Sequence, residues 1–194
     1  MPADVARRVF LAGAAASLLP WRAKAMSDQL HIGSSHGTID FSIGDSRIFR
    51  TTGGFKKWHG SLLVDDVNVP RSSVEVVVDT RSIEMLDTQQ TAMLRDAEFF
   101  DVEKFPQMTF ASTRIERTGA TTLEVAGDLT LRGITRPMTL LVSVTDRKPD
   151  AAAGKPYALF KAEGRLNRSE YGMTKFVDVV GDAVDITIRT DAWR

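Results

Sequence analysis

Long stretches of this chain alternate apolar and polar residues one by one, the pattern of a β-strand with one face buried and one face wet. In 73–83, Val74, Val76 and Val78 share one face while Glu75, Val77 and Asp79 share the other. In 108–115, Met108, Phe110, Ser112 and Arg114 alternate with Thr109, Ala111, Thr113 and Ile115. After Pro137, Met138, Leu140, Val142 and Val144 oppose Thr139, Leu141, Ser143 and Thr145, and the final run sets Val184, Ile186 and Ile188 against Asp185, Thr187 and Arg189. Turn residues separate these runs at Gly119, Gly127, Gly133, 148–156 and Gly181-Asp182. A single internal segment, 88–100, argues for a helix: Met93, Leu94, Ala97 and Phe100 fall on one helical stripe, and β-branched residues are missing after Thr91. The fold class this predicts is all-β and antiparallel with one short helix, and the pattern fits a sandwich or a barrel equally well.

Two further segments carry local signals. Arg7 and Arg8 precede an apolar run over 9–20, and Ala23-Lys24-Ala25 has the small-x-small form of a signal-peptidase site. That run is shorter than the roughly 20 apolar residues a membrane-spanning helix needs. Residues 1–25 are therefore expected to be a cleaved signal peptide and 26–194 a single mature domain, secreted to a bacterial periplasm. The arginine pair followed by Val9, Phe10 and Leu11 also looks like a twin-arginine signal, although Ala6 stands where Ser or Thr is usual, so Sec and twin-arginine export both stay open. The 148–156 stretch, with three alanines before Gly154, reads as a surface loop between strands.

The chain balances 25 Lys and Arg against 25 Asp and Glu, and the signal segment holds Arg7, Arg8, Arg22 and Lys24 against Asp4, which leaves the mature domain mildly acidic. No basic stripe is present, so nucleic acid is not an expected partner. The absence of cysteine excludes a disulfide framework and thiol chemistry. His31 and His36 lie five apart in a Gly/Ser-rich stretch, a poor preformed metal site, and His59 is remote, so no metal is expected. No Gly-x-Ser-x-Gly elbow occurs. Asp96, Glu98, Asp101, Glu103 and Glu170 read as solvated charges beside buried aromatics. The 127–133 stretch lacks the Gly-Lys-Ser/Thr ending of a phosphate loop; it reads as a strand ending in a Gly-Ile-Thr-Arg-Pro turn, with Pro137 opening the next strand. No cofactor motif is found.

Three stretches occur in a telling order: 99–110 with Phe99, Phe100, Phe105, Pro106 and Phe110; 127–137 from Gly127 through Gly133 to Pro137; and 167–173 from Asn167 to Met173. At these separations they resemble the YceI-like family of bacterial secreted proteins, over about Gly37 to Asp191. The resemblance implies a lipocalin-like antiparallel β-barrel of about eight strands, enclosing a long apolar molecule, typically a polyisoprenoid or fatty amide. Where the family commonly has Arg-Asp-x-His-Leu, this chain has Gln90-Thr91-Ala92-Met93-Leu94, so a polar contact from that run is lost and Met93 adds apolar surface at the mouth. Arg95, nearby, is a candidate for an anionic head group, though such a residue is more often a solvated one.

The expected ligand-binding residues are Phe41, Val76, Val78, Met108, Phe110, Leu140, Val142 and Phe160 along the tail, joined by Phe99, Phe100, Tyr171 and Met173. A one-residue slip in register would exchange the inward and outward sets. The leading expectation is a non-enzymatic transport or sequestering protein for a polyisoprenoid, prenyl quinone or fatty acyl or amide compound, without a membrane span; a homodimer is left open. Two alternatives stand beside it. One is a hydrolase or isomerase of a lipid-like substrate with a carboxylate beside Tyr171 or Asn167. The other is a filled barrel serving as a structural or protein-interaction module of an envelope stress response.

Overall fold

The computed structural model describes residues 28–44, 50–148 and 154–194; the expected signal segment and the centre of the 148–156 loop lie outside them. Its strands are β1 (Asp28–Gly33), β2 (Gly37–Ile43), β3 (Thr51–Phe55), β4 (Trp58–Val64), β5 (Ser73–Asp79), β6 (Ile83–Met85), β7 (Gln107–Arg117), β8 (Thr122–Leu131), β9 (Ile134–Thr145), β10 (Pro156–Asn167) and β11 (Ala183–Trp193). Helix α1 (Thr88–Arg95) follows β6, and a single-turn helix, α2 (Val177–Val180), precedes β11. Every ladder is antiparallel, and β11 pairs with β10 on one side and with β2 and β1 on the other, which closes the sheet into a barrel.

The first six strands are three long staves, each creased once. β1 and β2 run consecutively along β11, β3 and β4 pair with β2 and β1, and β6 and β5 pair with β3 and β4. With β7 to β11 the barrel has eight staves in up-and-down order. The three interruptions are neighbours in space: the Ser34 amide donates to the Trp58 carbonyl (3.0 Å), and the Lys57 amide to Ser82 Oγ (2.9 Å). Hydrogen bonds that a bent ladder loses are thus recovered by side chains and turns.

Three local departures from the sequence reading have physical causes. The helix ends at Arg95, not at 100; Asp87 caps its start by accepting from the Gln89 and Gln90 amides, and Asp96 is already extended. In β7, a bulge between Ser112 and Arg114 shifts the phase. Ile115 therefore joins Phe110 in the interior, and Arg114 faces outward to pair with Glu116 and Glu124. The β8–β9 hairpin turns on Arg132 and Gly133 alone, both with positive φ (52° and 72°), the geometry of a two-residue type I′ turn. Pro137 lies inside β9, opposite Asp128; it is tolerated because β9 pairs with β10 only over 141–145, so its other edge is open at that level.

Candidate ligand-binding cavity

The inward faces of the staves surround a cavity of about 440 Å³, within the range of about 300–1,000 Å³ that holds a drug-sized ligand. Space survives inside because large rings fold against small residues of the next strand. A methyl group on Gly53 would sit 2.5 Å from the Phe41 ring, and one on Gly127 would sit 2.5 Å from the Phe110 ring. Those two rings occupy the room that side chains there would take. Phe41, Phe55 and Phe100 form a run of ring contacts (5.9 and 5.5 Å) along one wall toward α1, and Phe99 meets Phe176 at 6.5 Å.

One end of the cavity is covered by the segment after α1 and by the β10–β11 connection. Arg168, buried, donates from Nε to the Gly181 carbonyl (3.0 Å) and from Nη1 to the Met173 carbonyl (3.1 Å), so it joins the two ends of the segment between them. Burial lowers its pKa, with nearby Asp182 opposing. Asp182 accepts from the Ser169 amide (2.8 Å) and hydroxyl (2.6 Å). At the hairpin tip, Arg132 donates to the carbonyls of Phe99, Ala97 (3.0 Å) and Gly172 (3.4 Å), while Lys175 pairs with Glu98.

The other end is formed by strand termini and carries Asp65, Asp66, Arg117 and Arg147 on its lining. Tyr157 is fully buried there; its hydroxyl donates to Asp66 Oδ2 (3.0 Å) and accepts from Arg147 Nε (3.3 Å) and Nη2 (3.2 Å), and Arg147 also pairs with Asp66. Burial raises the Tyr157 pKa against the pull of the Arg147 hydrogen bond, with Asp66 adding to the rise. Burial opposes the charge on Arg147, but Tyr157 and Asp66 outweigh it and raise its pKa.

Phe41, Val76, Val78, Met108, Phe110, Leu140, Val142 and Phe160 all line the cavity, together with Phe99, Phe100 and Met173. Tyr171 does not. It is buried beside Pro137, Asn167 and Glu170 in a separate pocket, where β9 and β10 part company. Asn167 donates to Glu170 (3.2 Å) there, so the pair expected beside Tyr171 and Asn167 lies outside the main cavity, whose own polar cluster is Asp66, Tyr157 and Arg147. Arg95 reaches the Ile83 carbonyl (3.0 Å) and is not on the lining, which removes it as a head-group contact. The expected ligand-binding set leaves out Phe55 and Trp58, which stand on the wall, and the Asp66–Arg147–Tyr157 network. The first two lie in the creased staves, where alternation is short; the network joins residues up to 91 positions apart. Among the described residues no group of His, Asp and Glu is placed to hold a metal, and no helix is long and apolar enough to cross a membrane.

A family model described as the YceI-like domain matches residues 30–192. The UPF0312 protein Ent638_1570 of Enterobacter sp. (strain 638) is 33% identical over 156 residues, 80% of either chain. Among solved structures, Burkholderia cenocepacia BcnA superposes with a TM-score of 0.70 at 23% identity, covering 81% of this chain and 96% of that one. A polyisoprenoid binding domain from Saccharophagus degradans, implicated in plant cell wall breakdown, superposes with a TM-score of 0.61 at 10% identity, covering 87% and 99%. Both likenesses are of fold.

Proposed function

The chain belongs to the YceI-like family, and from that premise we propose that it is a binding protein that carries or sequesters a long apolar molecule, a polyisoprenoid, prenyl quinone or fatty acyl or amide compound, without chemically altering it. The observation that carries this reading is the apolar bore of about 440 Å³ inside the barrel. A filled structural barrel would have no such space, and the Asn167–Glu170 pair expected of a lipid hydrolase lies outside it. Work in the periplasm after cleavage near Ala25 is part of the same proposal, supported by the signal-like segment.

Magnitudes suffice without covalent attachment. Each buried methylene contributes about 0.8 kcal/mol, so about fifteen give on the order of 12 kcal/mol. Association returns at least about 4 kcal/mol of that, which leaves micromolar affinity within reach. The test is mass spectrometry of a solvent extract from natively expressed, purified protein, followed by titration with prenyl and acyl probes. A stoichiometric long-chain lipid is expected; an empty extract together with no probe binding would refute the reading.

A further inference from the structure

The cavity has two unlike ends, and a tail with one polar terminus must choose between them. At the covered end Arg168 is only 5% exposed and is held between two backbone carbonyls through Nε and Nη1, and Lys175 pairs with Glu98. At the strand-terminal end, Arg147 is held in place by Tyr157 and Asp66 through Nε and Nη2, while its Nη1 donates to no described residue. The Arg147 side chain keeps 36% exposure and lies on the cavity lining, so the spare donor is within reach of an occupant. Tyr157 is committed on both sides of its hydroxyl and acts as a positioning residue.

Charge narrows what can sit there. The lining of this end carries two carboxylates, Asp65 and Asp66, against two guanidinium groups, Arg117 and Arg147. Asp65 is buried and fixed by accepting the amides of Val67 (3.1 Å) and Asn68 (2.8 Å), which holds the turn that presents Asp66. An anionic head taking the spare Nη1 would lie beside two carboxylates, Asp66 and Asp65. A neutral oxygen acceptor meets no such repulsion and gains one hydrogen bond from a charged donor.

We propose that this end seats the head group of the bound molecule, with Arg147 donating to an uncharged carbonyl oxygen, as in an amide or quinone, and the tail running along the bore toward Phe99 and Phe100. The proposal rests on the cavity being the binding site, and the experiment separates the two. Three probes with one shared C16 tail, hexadecanamide, hexadecanoate and hexadecane, are competed against N-phenyl-1-naphthylamine bound to the delipidated protein. The amide is expected to bind about tenfold more tightly than the hydrocarbon, the worth of one such hydrogen bond, and hexadecanoate no more tightly than the amide. In the charge-neutral double variant Arg147→Leu with Asp66→Asn, the amide should fall to the level of hexadecane measured on the same variant.

Displacement by none of the probes would overturn the cavity reading itself. Equal displacement by all three would leave the cavity reading standing and sink the head-group site, without recourse to any variant. Tighter binding of hexadecanoate than of the amide would overturn the claim of an uncharged head. An amide preference that survives in the double variant would place the head elsewhere.

Discussion

Arg147 and Arg168, one at each end of the barrel, are held in opposite ways. At the strand-terminal end Arg147 bonds side chains, Tyr157 and Asp66, and Arg117 beside it reaches the Ala120 carbonyl of a turn. The covered end is built from connections with no ladder to satisfy their carbonyls, and there Arg132 and Arg168 donate to backbone oxygens. Buried carbonyls need partners wherever the sheet stops. A cover made of loops therefore draws arginines to its carbonyls, while Arg147, held by side chains, is left facing the bore.

The sharpest way to break this contrast is to remove one arginine from each end. Arg168→Met leaves the Met173 and Gly181 carbonyls without their donor in a buried setting and should cost about 3 kcal/mol. Amide hydrogen exchange should rise across 168–182 first. Arg147→Met removes a half-exposed pair and should cost no more than about 1 kcal/mol by the same denaturant titration. Equal losses at both ends would erase the distinction. Between the ends, Ala162→Phe places a ring in the bore opposite Ile188. It should weaken binding of every apolar probe by at least about tenfold, while overpacking costs about 1–3 kcal/mol.

Arg132→Asn is a finer test because its local and long-range effects differ in sign. Asn is better suited than Arg to positive φ, and Asn-Gly is the preferred type I′ pair, so the hairpin itself should gain. The ties to Ala97, Phe99 and Gly172 are lost. A net loss of about 1 kcal/mol with faster ligand release would show that the ties outweigh the turn. A net gain would show that the cover is held by its aromatic contacts instead.

What the sequence made legible follows the same division. The straight staves, β9 and β11, alternate without interruption, and their inward residues Leu140, Val142, Ile186 and Ile188 could be read directly. The bulge in β7 has no residue that announces it, so Ile115 was assigned to the wrong face. The crease at Thr80–Ser82 carries Thr and Ser, residues compatible with a continuing strand, and was read through. Tyr171 looked like a cavity residue because aromatic burial is predictable from composition, whereas the side of the wall on which a turn residue is buried is not. Arg147 gave no signal at all: its role depends on Asp66 and Tyr157 arriving from distant strands.

Acidification should produce the smallest effect and the most local one. Burial works against ionisation of Asp182, but hydrogen bonds from the Ser169 side chain and amide and the charge of Arg168 prevail and hold its pKa below the ordinary carboxylate value. A carboxylate depressed in the folded state contributes stability that is fully present above its unfolded pKa, about 3.9, and is lost as pH falls through the folded value. Protection of the 168–182 amides, taken relative to the intrinsic exchange rate at each pH, should therefore be flat from neutrality down to about pH 4 and fall below it. Asp182→Asn should remove that acid dependence from the segment while leaving the amides of β8 and β9 unchanged. If exchange rises uniformly over the barrel instead, the cover is not a separate unit, and the two ends differ in composition without differing in how they are held.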